Sequence, residues 1–261
     1  MCLCIWVVKA SDFQVGKLHY KIVSVPDLTV EVTYPNEEEP DDFNHSTYSG
    51  NIVIPATVQF KGKTFKVIGI GGRAFYYSKI TSAELPEGIE YIGSSAFSMI
   101  ESLKSINIPM GLKELQWGAL DECDLNECII PNTVERVRDN ALPDVKGTLK
   151  FEDGDTEILV EDRTIKAGEL YIGRPIHFEW IMSLRANSII LGENVTKVPK
   201  YLSANLPEKV SLTVNNVVPP TIQNVKDNVL LNATIYVPAS AIQQYKEADG
   251  WKDFLEIKPI Q

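Results

Sequence analysis

Leu103-Lys104-Ser105-Ile106-Asn107-Ile108-Pro109-Met110-Gly111-Leu112-Lys113-Glu114-Leu115-Gln116-Trp117-Gly118-Ala119-Leu120 decides the fold, because its apolar pattern recurs on both sides of it. Leu103, Ile106 and Ile108 form an L-x-x-L-x-L run closed by Pro109, Leu112 and Leu115 follow, and Ala119-Leu120 ends the unit. The preceding stretch fills these slots with Ile80, Ala83, Leu85, Ile89, Ile92, Ala96 and Phe97. The following one uses Leu125, Cys128, Ile130, Val134, Val137, Ala141 and Leu142, and an incomplete first copy supplies Val67, Ile70, Ala74 and Phe75. Ala74, Ala96, Ala119 and Ala141 thus step by 22, 23 and 22 residues. A period of about 20 to 50 residues marks a solenoid, whose units are too small to bury their own apolar faces and must stack on one another.

Within each unit the x-L-x-L segment alternates as a strand with one buried face should. Proline cannot donate to a sheet ladder, so Pro86, Pro109 and Pro131 mark strand ends. Pro86-Glu87-Gly88 and Pro131-Asn132-Thr133 read as turns. The Ala-Phe pair reads as a short turn, with alanine allowing close approach and phenylalanine filling the interior. Cys128 takes the slot of Ile106 and Ala83, and Cys123 follows Ala119 by four; both read as core fillers. A Cys123–Cys128 disulfide is the alternative in an oxidising compartment.

The run Leu85-Pro86-Glu87-Gly88-Ile89-Glu90-Tyr91-Ile92-Gly93-Ser94-Ser95-Ala96-Phe97 resembles the BspA-like leucine-rich repeat of surface proteins from Bacteroides-type bacteria. Ala233-Thr234-Ile235-Tyr236-Val237-Pro238, followed by Tyr245 to Phe254, is similar to the closing segment of those proteins. Phe13 to Tyr34 and Ser49 to Pro55 are similar to their N-terminal region. The resemblance implies a secreted or cell-surface protein engaged in adhesion to host or bacterial partners. Together with the repeat it gives a fold class: mainly β with short turns and helices, a leucine-rich-repeat solenoid with an N-terminal β cap and a C-terminal helix-containing cap.

The segments divide accordingly. Residues 1–10 hold an apolar stretch, Cys2 to Val8, before Ala10, and read as a signal-peptide remnant; a buried first strand is the alternative. Residues 11–65 form the β cap, with β-rich runs at Leu18–Val23 and Leu28–Tyr34 and a tight hairpin at Phe60–Phe65. Repeats of 22–23 residues fill 66–145. After Leu142 the rhythm fails, so 146–185 reads as an irregular β insertion, and 186–261 as degenerate repeats plus the C-terminal cap. In that cap Ser240 is the expected N-cap of a helix over 239–248.

The chain has 261 residues, 44% hydrophobic and 23% charged, with a net charge of -10 from 35 acidic and 25 basic side chains. Glu37-Glu38-Glu39-Pro40-Asp41-Asp42 holds five of the acids and reads as a solvated loop. It lacks the spaced oxygen ligands of an EF-hand, and no metal is expected. No basic patch interleaved with aromatics points to nucleic acid or to an anionic membrane. No apolar stretch is long enough to span a bilayer. The three histidines, His19, His45 and His177, stand beside no catalytic motif. Neither a catalytic residue nor a cofactor is therefore expected.

A binding face is expected instead. Residues flanking the buried strand positions point outward, which places Ser82 and Glu84, Ser105 and Asn107, Glu127 and Ile129, and Ser188 and Ile190 in exposed columns. Glu84, Asn107, Glu127, Ile129 and Ile190 are the candidate binding residues, for a protein or glycan on a host or bacterial surface. Ile129 and Ile190 stand out as apolar residues on a polar face. The competing reading is a glycan-processing accessory or enzyme, with Tyr171, His177 and Trp180 lining a sugar site in 146–185.

Overall fold

The computed structural model describes residues 11–35, 48–179, 181–205, 210–222, 225 and 233–260. The stretch 1–10, the acidic run, His45 and Trp180 lie outside the described residues. Strands β1 (Phe13–Val15), β2 (Leu18–Ser24) and β3 (Thr29–Thr33) make an antiparallel meander. Strand β4 (Ser49–Val53) opens the solenoid, and the hairpin of β5 (Thr57–Phe60) and β6 (Lys63–Ile70) lengthens its first coil. Lys61 and Gly62 at the hairpin tip both take positive φ, 49° and 73°, the two-residue geometry that matches strand twist.

From there each repeat sends one strand to each of two faces. On the first, the strand face, β7 (Lys79–Glu84) adds in parallel to β4. On the opposite face β8 (Tyr91–Ile92) adds to β6, which itself pairs with β3 of the cap. Strand β9 (Ser105–Ile106) continues the strand face and β10 (Glu114–Leu115) the opposite one. Next come β11 (Asp124–Leu125) and β12 (Cys128–Ile130) on the strand face, and β13 (Arg136–Val137) opposite. The slots read from the sequence all point inward: Ile89, Leu112 and Val134 are fully buried, as are Ile92, Leu115 and Val137. They belong to one apolar cluster that runs from Phe13 to Phe254.

The segment 146–185 is not an irregular insertion. Strand β14 (Asp144–Phe151) pairs in parallel with β11 and β12, and β16 (Thr164–Ile172) pairs with β14. Strands β15 (Ile158–Val160) and β17 (Ile176–Phe178) extend the opposite face beyond β13. Beside β16 lies β18 (Ser183–Arg185), and β19 (Ser188–Leu191), β20 (Ser211–Val214), β21 (Thr234–Val237) and β22 (Glu256–Pro259) complete the strand face. Coiling continues here without the Ala-Phe turn, because β14 and β16 lengthen to 8 and 9 residues and take over the path the turn followed.

The Ala-Phe turns pair as a third edge. Phe75, Phe97 and Leu120 donate their backbone N–H to Ala96, Ala119 and Ala141 of the next coil at 2.8, 2.9 and 3.2 Å. The Phe75 and Phe97 rings stack with centroids 5.0 Å apart. Left-handed residues make the turns: Arg73, Ser95, Gly118 and Asn140 hold a first such position, and Tyr77, Met99 and Glu122 hold a second in the first three turns. A non-glycine residue there is held against about 1 to 2 kcal/mol of strain.

Single side chains also fasten one coil to another. Tyr91 lies across Gly69, where a Cβ would stand 2.2 Å from its ring, and its hydroxyl donates to Glu31 Oε2 at 2.7 Å, tying cap to solenoid. Arg174 is fully buried and donates to three backbone carbonyls two coils back, Asn132 at 2.6 Å, Val134 at 2.6 Å and Pro131 at 3.3 Å. At the far end Trp251 Nε1 donates to Pro220 O at 2.7 Å, and the Tyr245 hydroxyl donates to Asn216 O at 2.9 Å. Ser240 is no N-cap: it lies inside a 3-10 turn over Ala239–Ala241 that leads into α1 (Ile242–Glu247), with no side-chain capping bond. Pro238 has already fixed the entry backbone. Cys123 and Cys128 are free and buried, so the disulfide between them is absent; the Cys123 thiol donates to Phe97 O at 2.9 Å.

Asp162 is 1% exposed and accepts from Leu142 N at 2.9 Å and Thr164 N at 3.1 Å. Burial, opposed by those two bonds and reinforced by Asp139 and Asp121, raises its pKa to about 6. An acid with a raised folded-state pKa favours folding below its unfolded value near 3.8 and loses that contribution as pH rises through about 6.

Leu115→Ala should cost about 2 to 5 kcal/mol in urea unfolding. Glu122→Gly, relieving a left-handed position, should gain about 0.5 to 1 kcal/mol. The stability of the parent relative to Asp162→Asn should fall by about 2 kcal/mol between pH 4 and pH 7; a constant difference across that range would contradict the raised pKa of the buried carboxyl.

Candidate binding groove on the strand face

The outward side chains of the strand face stand in two columns fixed by the parallel register. One runs Ile129, Lys150, Tyr171, Ile190, Thr213 and Tyr236, and a neighbouring one runs Thr148, Glu169, Ser188, Ser211, Thr234 and Glu256. The sheet itself is broken. Strands β4, β7 and β9 form one sheet and β11, β12, β14, β16 and β18 to β22 another, and no backbone hydrogen bond among the described residues joins β9 to β12. A groove of about 880 Å³ crosses this break.

Four of the five residues expected to bind line that groove: Glu84, Asn107, Glu127 and Ile129. Ser82 and Ser105 line it as well. Ile190 does not. It is half-buried between Tyr171 and Thr213, three strands from Ile129, roughly 14 Å along the sheet. Asn107 is in the groove but its amide is engaged. Its Nδ2 donates to Leu85 O at 2.8 Å and its Oδ1 accepts from Leu85 N at 2.7 Å, so the side chain takes the place of a ladder strand at the end of β7.

Reading the sequence by strand columns overlooked the lining beyond the strand ends. Glu87, Met110 and Glu152 close the groove past Pro86, Pro109 and Phe151. Met110 is 47% exposed and Ile129 39%, a two-residue apolar patch. The repeat alignment held the signal for Met110, since Glu87 occupies the equivalent slot one coil earlier.

The charges on the two faces differ in their partners. On the opposite face Arg136 binds Glu161 at 2.5 Å, and Arg138 binds both Glu114 and Glu161. Those bonds hold the Glu161 carboxyl below its ordinary pKa. In the groove no ion pair among the described residues engages Glu84, Glu87, Glu127 or Glu152. Lys104 turns to the Glu101 carbonyl at 2.8 Å and to Asp124 at 3.8 Å. Lys150 leans over the Tyr171 ring, 5.1 Å from its centroid.

The residues of the competing enzyme reading do not converge. Tyr171 belongs to the strand face, where its hydroxyl donates to Asp153 Oδ1 at 2.8 Å, while His177 sits on β17 of the opposite sheet. No group of three or more His, Cys, Asp or Glu among the described residues is placed to hold a metal ion. No described helix is long and apolar enough to cross a membrane.

A model of the BspA type leucine-rich repeat region matches residues 43–148 in six copies. This stretch is a BspA-type leucine-rich repeat region. The BspA-type repeats therefore reach back over β4 and the β5–β6 hairpin, into residues the sequence reading gave to the cap, and they include the Glu84, Asn107, Glu127 and Ile129 positions. Among solved structures the chain is similar to a leucine-rich repeat protein from Bacteroides capillosus, 29% identical, covering 48% of this chain and 86% of that one with a TM-score of 0.40. It is also similar to a leucine-rich repeat protein from Bacteroides ovatus, 18% identical, covering 95% and 76% with a TM-score of 0.37. A leucine rich cell surface protein from Faecalibacterium prausnitzii is 15% identical, covering 95% and 94% with a TM-score of 0.27. No curated protein matches.

Asn107→Ala should cost about 1 to 3 kcal/mol in thermal unfolding, since it strands the Leu85 backbone pair. Ile129→Ser should stay within about 0.5 kcal/mol of the parent. Equal effects of the two changes would contradict the assignment of Asn107 to structure and Ile129 to the open surface.

Proposed function

We propose that the chain is a non-catalytic repeat module, secreted or held at a cell surface, that binds a host or bacterial protein or glycan in the strand-face groove. One observation carries the reading. Among the described residues no ion pair engages Glu84, Glu87, Glu127 or Glu152 in the groove, and Ile129 and Met110 stand exposed there, whereas the charges of the opposite face engage one another. Side chains that stabilise the fold find partners inside it, and a groove whose lining is left open is available to a second molecule. The leucine-rich repeat supports binding over turnover, because a solenoid offers an extended surface built from successive coils. Export is supported by the apolar stretch Cys2–Val8 before Ala10 and by the surface-protein family that the repeat resembles.

Glycan and host-protein arrays probed with purified protein test the reading. The parent should bind at least one class of ligand, and the Glu127→Gln/Ile129→Ser double variant should lose about ten-fold or more in affinity while unfolding at the parent temperature. Undiminished binding by the variant would remove the groove from consideration, and turnover of an arrayed polysaccharide would contradict a non-catalytic role.

A further inference from the structure

The groove's chemistry narrows the class of partner. Along the strand direction Glu127 stands on the upstream side and Glu87 and Glu152 on the downstream side, with Ile129 between them and Met110 level with Glu87 on the next coil. Glu84 lies on β7, two coils before Ile129 and one step beyond the Ala83–Ile106 register pair. The floor below is made of Ile106, Ile108 and Pro131. One cation, Lys104, lines the groove, and its ammonium is engaged by the Glu101 carbonyl and Asp124; Lys150 leans over Tyr171. Four carboxylates thus border the groove against one lysine, and none of the four forms an ion pair among the described residues. The buried Arg174 feels the charge of Glu152 but forms no ion pair with it, and its guanidinium donates to three carbonyls.

We propose that this groove holds an extended basic segment of a partner protein, in which Lys or Arg alternates with apolar residues. The inference rests on the binding role of the groove and deepens it. Successive side chains of an extended chain point to opposite sides, so its apolar residues reach Ile129 and Met110 while its flanking cations meet Glu84, Glu87, Glu127 and Glu152. Like-charge neighbours without counterions raise the local negative potential, which steers cations to the site and weakens with salt. The break between β9 and β12 gives the segment a trough rather than a closed, hydrogen-bonded sheet surface to lie on. A glycan lacks the cations this border calls for, and an acidic peptide is repelled by it.

Fluorescence anisotropy with three labelled peptides tests the proposal: alternating Lys and Val, alternating Lys and Ser, and alternating Glu and Val. The Lys-Val peptide should bind best, about ten-fold or more tighter than Lys-Ser, and the Glu-Val peptide should not bind. Gln at Glu84, Glu87 and Glu127 together should weaken Lys-Val binding about ten-fold. Gln at the exposed Glu122, Glu193 and Glu247 removes the same net charge elsewhere and should change it little. Equal losses for the two triple variants, or equal binding of Lys-Val and Lys-Ser, would overturn the proposal by reducing the attraction to net charge. Should Lys-Val fail while an arrayed glycan or protein still binds in a way that Glu127→Gln/Ile129→Ser abolishes, the partner class is wrong and the groove's binding role stands. Should both fail, the binding role falls too.

Discussion

Phe75, Phe97 and Leu120 each give a backbone N–H to the alanine of the next coil, and this repeated bond sets the register in which the apolar slots stack. Alanine is required at that point because the next turn approaches so closely, and Ala74, Ala96, Ala119 and Ala141 are at most 1% exposed. Each of the three turns that present the bond has two left-handed residues, and of these six only Gly118 is glycine. Strain at the turn edge is thus held by packing inside it. Each coil is small, yet its neighbours complete its interior on both sides, and the solenoid is stable as a stack rather than as a set of units.

The same stacking explains why the two faces differ. On the opposite face the sheet is unbroken from β3 to β17, and its outward residues meet at strand spacing, so Arg136, Arg138, Glu114 and Glu161 pair across coils. On the strand face the ladder is interrupted between β9 and β12, and Asn107 closes the end of β7 with its own amide. Residues that would have faced one another across a ladder stand open there instead. The groove is a consequence of how one pair of coils joins.

Periodic positions were legible in the sequence because burial is imposed at every repeat: Ile89, Leu112 and Val134 follow from spacing alone. Exposure of Glu127 and Ile129 followed from the strand alternation. Features that depend on one coil meeting another at a particular angle were not legible. No spacing rule announces that the Asn107 amide would turn back to Leu85, or that Tyr91 would cross Gly69 to reach Glu31. The stretch from 146 to 185 misled for a related reason. It drops the Ala-Phe pair, the strongest mark of the repeat, while keeping the inward column Leu149, Leu170 and Ile189. Arg174, a charged residue in the interior, further disguises a coil that packs like the others because carbonyls rather than a carboxylate receive its guanidinium.

A shared interior makes neighbouring coils depend on one another, and amide hydrogen–deuterium exchange reads that dependence directly. In the intact chain carrying Leu112→Ala, exchange should quicken across the altered coil and in both flanking ones, at the amides of residues 89–97 and 134–142. Faster exchange confined to residues 109–120, with the flanking coils as protected as in the parent, would show separate cores and contradict the stacked interior.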